Sequence, residues 1–304
     1  MTTLAVVIIT HNEAVHIGRA LASVEAIASE MFVVDSGSTD KTADIAEACG
    51  AAVLTHPFVN QAQQFQWALD NAPITADWVM RLDADEVVEP GLAAEIDRRL
   101  GALPAEATGV NLNRKHIFMG RWIRHGGRYP LTLLRIWRRG KARVEQRWMD
   151  EHILLTEGRA VTFEGDFADN NLNDLTFFTD KHTKYATREA VEVLNGRLRL
   201  FAVDDAHGAA PAQAIRKRAV KEGLYNRLPF AVGPVAYFLY RYIWQRGFLD
   251  GKEGAIYHGL QGLWYRFLVD ARLLELQRAL DGVEGSDAKR ALLAKLTGLD
   301  LPAA

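Results

Sequence analysis

The chain has 304 residues, of which 49% are hydrophobic and 24% are charged, and its formal net charge at pH 7 is -2. This composition is ordinary for a globular protein with a substantial core, and it excludes a disordered chain. A near-neutral chain without a basic tail also disfavours nucleic acid as a partner.

The N-terminal third alternates predicted strands with predicted helices. Apolar runs predict strands at residues 4–10, 31–34, 52–54 and 77–82. The first predicted helix has one apolar face, formed at spacings of three and four residues by Ile17, Ala20, Leu21 and Val24. Such an alternation with short links predicts an α/β fold, in which a mostly parallel sheet is flanked by helices.

The second predicted helix has signals at both ends. Ser38 or Thr39 can accept a hydrogen bond from its first turn, and Gly50 is placed to end it. A further helix is predicted around residues 63–72, before the fourth strand.

Polar clusters follow three of these strands at the point where each strand ends. They are His11-Asn12-Glu13, Asp35, and Asp83 with Asp85. The carboxyl ends of parallel strands meet at one edge, where ligands bind. Asp83 and Asp85 share one side of an extended chain, so both can face one Mg²⁺ or Mn²⁺ ion. Neither a dinucleotide-binding glycine motif nor a P-loop motif occurs in the sequence.

The order and spacing of three motifs closely resemble the bacterial family 2 glycosyltransferases. The motifs are Val-Ile-Ile-Thr-His-Asn-Glu, Val-Val-Asp-Ser-Gly-Ser-Thr-Asp and Trp-Val-Met-Arg-Leu-Asp-Ala-Asp-Glu. Within that family the chain is most similar to the branch with lipopolysaccharide core glucosyltransferases and exopolysaccharide sugar transferases, which shares residues 118–130. The resemblance covers residues 4–155, and the rest of the chain more loosely.

The resemblance implies an activity and a set of ligands. Members have the GT-A fold, which is a Rossmann-like fold of nucleotide-diphospho-sugar transferases. They use Mg²⁺ or Mn²⁺ and a nucleoside diphosphate sugar, and they invert the anomeric centre. We therefore expect transfer from a UDP-sugar to a hydroxyl of a bacterial envelope glycan or glycolipid, in lipopolysaccharide core or exopolysaccharide.

The same resemblance implies roles for individual residues. Asp85 is expected to bind the metal, and Asp83 to contact the ribose and share the metal. The residues expected around the nucleotide are Thr10, His11, Asn12, Glu13, Asp35, Gln64 and Gln66. If these two residues have no role in binding, His11 is simply a loop residue and Asp35 only caps the next helix.

An inverting transfer needs a carboxylate that takes the proton of the acceptor hydroxyl. The candidates are Glu151, which aligns best with the usual base of the family, and its neighbour Asp150. His152, or a residue of the segment 166–171, which includes Asp169, could add a ligand to the metal.

A dense basic segment lies between the metal motif and these carboxylates, interleaved with aromatic residues. Guanidinium groups bind phosphate and carboxylate, and aromatic rings stack on sugars. We expect an anionic acceptor to bind Trp122, Arg124, His125, Arg128 and Arg135.

The region from residue 175 to the end is predicted to be helical. Residues 228–244 are strongly apolar, but prolines and Arg241 interrupt them, so the segment predicts an interfacial helix or a buried helical subdomain rather than a membrane span. The first apolar run lacks the features of a signal peptide, and the single cysteine cannot form an intramolecular disulfide. We expect a cytoplasmic protein, with peripheral contact to the inner membrane as a hypothesis.

These composition shifts divide the chain into three parts. They are a nucleotide-sugar half at residues 1–105, an acceptor and base half at 106–174, and a helical region at 175–304. Two other functions stay open, a sugar nucleotidyltransferase and a noncatalytic nucleotide-sugar-binding scaffold.

Overall fold

The computed structural model describes residues 2–145, 151–201 and 229–301. Its first part alternates strands and helices as the sequence predicts. The strands are β1 (Leu4–Thr10), β2 (Glu30–Asp35), β3 (Ala52–Thr55), β4 (Trp78–Arg81) and β5 (Glu86–Val88). The helices are α1 (Ile17–Val24), α2 (Thr42–Ala48), α3 (Gln61–Asn71) and α4 (Pro90–Arg99), and a 3-10 turn follows at Leu100–Ala102.

The second part consists of strands. They are β6 (Ala107–Phe118), β7 (Arg121–Trp122), β8 (Leu131–Arg138), β9 (Ala142–Val144), β10 (Ile153–Leu155) and β11 (Arg159–Asn170). The main sheet has nine strands in the order β3-β2-β1-β4-β8-β6-β11-β5, with β7 on β6, while β9 and β10 pair separately.

The pairing changes across this sheet. β3, β2, β1 and β4 are parallel to one another, which is the part that the strand and helix alternation predicts. β8 then runs antiparallel to both β4 and β6, β11 is parallel to β6, and β5 is antiparallel to β11. The α/β fold with flanking helices is therefore confirmed, and the sheet as a whole is mixed.

The sheet curls around the acidic motif. A turn closed by the Glu86 N–H and the Asp83 carbonyl at 2.9 Å links β4 to β5, and such a turn brings its ends within about 7 Å. In strand order, however, β5 lies four positions from β4, which is about 19 Å in a flat sheet. Because the short turn cannot span a flat sheet, the far strands bend round Asp83–Glu86.

The core lies on both faces of the parallel strands. Leu4, Val6 and Ile8 of β1 pack in one cluster, while Ala5 and Val7 pack in the other. Strands buried on both faces read as continuous apolar runs, which explains the sequence of β1. The apolar face predicted for α1 is also confirmed, since its buried residues are Ile17, Ala20, Leu21 and Val24.

The predicted cap of α2 is wrong. This helix begins at Thr42, whose N–H donates to Asp40 Oδ1 at 3.0 Å. Ser38 and Thr39 lie further upstream, where Ser38 binds Asp35 and Asn12, and Thr39 binds Asn12. Gly50 follows the helix at φ +81°, as its predicted role in ending it requires.

The region after β11 is helical, as predicted. Its helices are α5 (Leu175–Leu198), α6 (Val232–Leu239), α7 (Gly251–Tyr257), α8 (Tyr265–Leu280) and α9 (Ser286–Thr297). Short π-helical segments at Tyr240–Trp244 and His258–Trp264 and a 3-10 turn at Gly247–Asp250 join them. Among the helices in the described ranges, none is both long and apolar enough to cross a membrane.

Candidate active site

Hydrogen bonds join the loops that follow β1 and β2. The Asn12 N–H donates to Ser38 Oγ at 2.8 Å, and the Thr39 N–H donates to Asn12 Oδ1 at 2.8 Å. Asn12 adopts φ 55°, a conformation that asparagine tolerates better than most residues. Because these bonds connect two strand ends, the predicted nucleotide edge has one preorganised rim.

Asp35 organises the second of these loops. Its side chain is buried, and Oδ2 accepts the N–H groups of Gly37 at 2.9 Å and Ser38 at 2.8 Å. Oδ1 accepts the Ser38 hydroxyl. The carboxylate thus stabilises the turn, and its contact with a nucleobase stays a prediction.

The residues at the end of β1 differ in their surroundings. The Thr10 hydroxyl is buried and has no hydrogen-bond partner among the described residues, whereas His11 is exposed. Glu13 pairs with Nδ1 of His16, a fully buried histidine whose Nε2 accepts the Leu172 N–H at 2.8 Å. Glu13 therefore helps to connect this rim to the segment after β11.

Both glutamines predicted beside the nucleotide bind protein groups. Gln64 is buried on α3, where its amide donates to Ser36 Oγ at 3.1 Å and its carbonyl lies 2.8 Å from His56 Nδ1. Gln66 accepts the Val144 N–H at 2.9 Å. They support the walls of the site, and their contact with the nucleotide stays a prediction.

Two arginines hold Asp83. Arg81 donates from Nε to Asp83 Oδ1 at 3.1 Å, and Arg135 Nη2 lies 3.4 Å from Oδ2. Burial alone would raise the pKa of Asp83, but these guanidinium groups outweigh it and keep that pKa well below its usual range. Asp83 is therefore ionised at neutral pH.

Glu86 closes the same cluster from inside the protein. Its side chain is 1% exposed, and it accepts Arg135 Nη2 at 2.6 Å and the Asp83 N–H at 3.0 Å. Burial raises the pKa of Glu86 to about 8 in spite of the nearby Arg135. Arg135, predicted to bind acceptor, is thus committed to two carboxylates of the acidic motif.

Asp85 lies opposite a second carboxylate, Asp169 at the end of β11. Burial and the charge of Asp169 both raise the pKa of Asp85, whose Oδ2 accepts the Asn171 amide at 2.9 Å. Asp169 is held by His116 Nδ1 at 3.1 Å and Arg114 Nη1 at 3.5 Å. Although burial opposes it, the charges of His116 and Arg114 keep the pKa of Asp169 well below its usual range. Asp169 therefore stays ionised near Asp85, and a cation shared by the two carboxylates would offset their repulsion.

Two cations border this pair. Arg19 of α1 donates to the carbonyls of Asp85 and Asn170. Lys181 comes from α5, and although burial opposes its charge, the fields of Tyr185, Asp85 and Asp169 raise its pKa. The site therefore combines carboxylates with cations that could face a diphosphate.

The donor set fits a divalent ion that also binds substrate. Within the described ranges, no group of three or more histidine, cysteine, aspartate or glutamate side chains could hold a metal by itself. Mg²⁺ is commonly bound by one or two carboxylates together with substrate phosphates and water. Asp85 and Asp169 are the two carboxylates that would meet that requirement.

The candidate base lies beside the acidic motif. Glu151 is 7% exposed at its side chain and accepts Arg81 Nη2 at 3.0 Å, so one guanidinium holds both Glu151 and Asp83. Asp150, the other candidate, lies outside the described residues. His152 has its Nδ1 3.2 Å from Glu145 Oε2.

The remaining residues predicted to bind acceptor have separate surroundings. His125 binds Asp250 through its N–H at 2.8 Å and its Nδ1 at 2.6 Å, which attaches this segment to the helical region. Trp122 makes an edge contact with Tyr129 at 4.9 Å between ring centroids, and exposed Arg124 lies over the Trp122 ring. Arg128 lies over Tyr257 at 5.2 Å.

Sequence reasoning missed several of these groups. Arg81 had a signal, because a lone charge in a buried strand needs a partner nearby. His16 had a weaker one, because it follows Glu13 by three residues in the turn that precedes α1. Lys181 had none, since its own helix does not reveal which strand ends it faces.

Comparison with known proteins identifies the family. Residues 5–161, just over half of the chain, match the family model described as Glycosyl transferase family 2. The chain belongs to that family, which confirms the resemblance drawn from its three motifs.

Named relatives agree with this assignment. An uncharacterised glycosyltransferase of Rickettsia bellii is 46% identical over 90 residues, which are 30% of each chain. The lipopolysaccharide core biosynthesis glycosyltransferase LpsC of Rhizobium meliloti is 31% identical over 147 residues, 47% of this chain and 53% of that protein. The chain thus aligns with about a third to a half of the length of these relatives.

Solved structures show a weaker likeness. Glucosyl-3-phosphoglycerate synthase of Mycobacterium tuberculosis, in complex with Mn²⁺, UDP and glucosyl-3-phosphoglycerate, is 24% identical with a TM-score of 0.32. The match covers 38% of this chain and 44% of that one. A similarity this low carries no argument about the present site.

Proposed function

We propose that this chain is an inverting, metal-dependent glycosyltransferase of bacterial envelope synthesis. It transfers a sugar from a UDP-sugar to a hydroxyl of a glycan or glycolipid acceptor, in lipopolysaccharide core or exopolysaccharide. The observation that carries the proposal is the Arg81 guanidinium, which holds Asp83 of the acidic motif and Glu151, the candidate base, together. Membership of glycosyl transferase family 2 supports it.

The donor nucleotide binds at the rim formed by the loops after β1 and β2. His11 is exposed there and can stack on a pyrimidine ring, while the buried Thr10 hydroxyl lacks a protein partner among the described residues. Asn12, Glu13 and Asp35 keep the rim in shape. These features support UDP as the nucleotide.

The diphosphate lies between the carboxylates and the cations. Asp85 and Asp169 would hold Mg²⁺ or Mn²⁺, with Asp83 towards the ribose. A bound divalent ion supplies Lewis-acid stabilisation of the leaving diphosphate. Lys181 and Arg19 add positive charge beside the same carboxylates, which favours bond cleavage further.

The proton of the acceptor hydroxyl goes to Glu151. Its carboxylate is largely shielded from water, and Arg81 fixes its orientation. A positioned carboxylate of this kind typically contributes a factor of about 10² to 10⁴ in rate. Asp150 is the alternative base.

The helical region provides a surface for the inner membrane. Its exposed apolar side chains include Trp244 at 80%, Ile243 at 58% and Phe248 at 48%, and the exposed cations Arg246 and Lys252 lie among them in sequence. Apolar rings with flanking cations suit an anionic bilayer. Trp244→Ser should weaken binding to phosphatidylglycerol vesicles roughly tenfold. Phe58→Ser, which changes an exposed ring between β3 and α3, should leave that binding unchanged.

The test of the donor site is a calorimetric titration of UDP into the protein, with Mn²⁺ and then with a chelator. We expect binding that the chelator abolishes, and release of UDP when a UDP-sugar and an envelope acceptor are supplied. Release of pyrophosphate would indicate a nucleotidyltransferase, and binding without any release would indicate a scaffold. No binding of UDP with Mn²⁺ would refute the donor assignment.

A further inference from the structure

Arg128 and Arg241 form a basic group beside the acidic cluster, between the segment after β7 and the helical region. Arg241 is 3% exposed, and its Nε donates to the Gly126 carbonyl at 2.7 Å. Its Nη1 binds Gln261 at 2.9 Å and Tyr237 at 3.2 Å. Arg128 lies in the same group, and the charge of Arg241 acts on it.

Neither of these guanidinium groups has a counter-ion among the residues that the structure describes. In the described part of the chain, no carboxylate lies within ion-pair distance of Arg128 or Arg241, in contrast to Arg81, Arg114 and Arg135. Arg128 Nε and Arg241 Nη2 are buried without a hydrogen-bond acceptor among the described residues. Burying a charge without a partner is strongly unfavourable, so an anion is expected to complete the group.

Aromatic rings offset only part of this cost. Arg128 lies over Tyr257 at 5.2 Å and Arg241 over Tyr237 at 5.3 Å, which are cation-π distances. His258, also buried in the group, has no partner for either ring nitrogen in the described ranges, and burial lowers its pKa to about 3. It is neutral and supplies no negative charge.

The group is adjacent to the reacting end of the site. The Tyr257 ring that Arg128 covers also contacts His116 at 4.8 Å, and His116 binds Asp169. Arg128 is thus connected to Asp169 through two successive rings, Tyr257 and His116. This is where the acceptor would extend away from its reacting hydroxyl, if the proposed function holds.

We propose that Arg128 and Arg241 form an oxyanion site, which binds a phosphate or carboxylate group carried by the acceptor. Arg128 is partly exposed and makes the contact, while Arg241 holds the Gly126 loop and adds charge from behind. The inference rests on the proposed function and names the chemical class of the acceptor. It also assigns a substrate role to a residue beyond the matched residues 5–161.

The test uses inorganic phosphate as the probe and the full chain, by calorimetry at constant ionic strength. Arg128→Gln should lower the affinity for phosphate about tenfold or more, because it removes a charge-assisted contact. Arg128→Lys should recover part of it, and Arg98→Gln, an exposed arginine of α4, should leave it unchanged. No phosphate binding, or binding that Arg128→Gln does not change, would refute the proposed oxyanion site.

Two further arms separate this result from the donor site and identify the source of the anion. Phosphate should bind equally well when UDP and Mn²⁺ are present. If UDP displaces the phosphate, and Arg128→Gln does not change the phosphate affinity, the phosphate lies in the donor site and the oxyanion site is refuted. If UDP fails to bind but phosphate binding depends on Arg128, the donor assignment is wrong and the oxyanion site is supported. Given a phosphate effect, a matching loss of phosphatidylglycerol vesicle binding in Arg128→Gln indicates a lipid headgroup, and unchanged vesicle binding indicates a phosphate or carboxylate on the sugar.

Discussion

The parallel half of the sheet and the C-terminal helical region satisfy their polar groups in different ways. Around the parallel strands, Asp35, Asn12 and Asp83 bind protein donors, and each buried arginine of the acidic cluster has carboxylate partners. In the helical region, Arg241 has no ion pair in the described ranges and Trp244 is 80% exposed. The arginines of the acidic cluster thus have ion-pair partners within the protein, whereas the second region keeps charge and apolar surface for a partner.

The largest effect is expected in the first region, where Asp85 would bind the metal. Asp85→Asn should reduce turnover by a factor of about 10³ or more, since it removes a ligand that stabilises the leaving diphosphate. Binding of Mn²⁺, followed by calorimetry, should weaken in parallel. Asp97→Asn, on the exposed side of α4, serves as the control, and metal-dependent turnover retained by Asp85→Asn would contradict the ligand role.

The base is the next most sensitive position. Glu151→Gln keeps an oxygen for Arg81, so UDP binding should be unchanged while turnover falls by a factor of about 10². Glu164→Gln, an exposed residue of β11, should have no effect on either. If Asp150→Asn produces this loss and Glu151→Gln does not, Asp150 is the base.

The contribution of the buried ion pairs in the acidic cluster to stability can be measured by replacing Arg135. Arg135→Met removes a guanidinium that donates to both Glu86 and Asp83, and it should lower the free energy of unfolding by about 1–3 kcal/mol because both carboxyls lose a partner. Denaturant unfolding measures this, with exposed Arg98→Met as the control. The double variant Glu86→Gln/Arg135→Met should be more stable than Arg135→Met, and equal losses would argue against the pair.

The smallest effect concerns pH and the helical region. The pKa of His258 is about 3 in the folded protein against an ordinary value of 6.5, so the unfolded chain binds more protons between these values. Stability from His258 is complete above pH 6.5 and is lost as the pH falls below it. His258→Phe should flatten the fall in melting temperature between pH 7.5 and 5.5, only in part because burial also lowers the pKa of His182, to about 4.

Local patterns predicted the elements well because they depend on residues close in sequence. The apolar face of α1 follows from a spacing of three and four residues, and Gly50 ends α2 through its own backbone conformation. Ser38 and Thr39 were wrongly predicted as caps because Asn12, from another strand end, competes for them. A hydrogen bond between distant segments is not visible in a local pattern.

The candidate site was predictable to the extent that its motifs end strands. Asp83 and Asp85 lie at the predicted sheet edge, and Glu151 lies beside them through Arg81. The pairing of Asp85 with Asp169 and the approach of Lys181 depend on how β11 and α5 return to the sheet. Arg135 shows the converse, since a residue expected to face the acceptor binds Glu86 inside the protein.

The pairing of β5 with β11 also determines when the site can form. Val88 pairs with Phe167, so the strand that follows the acidic motif finds its partner only after 79 further residues. Contacts of such sequence separation carry a large loop-closure entropy and form late. During synthesis the parallel strands can therefore assemble first, and the nascent chain has no organised Asp85–Asp169 pair until β11 has emerged.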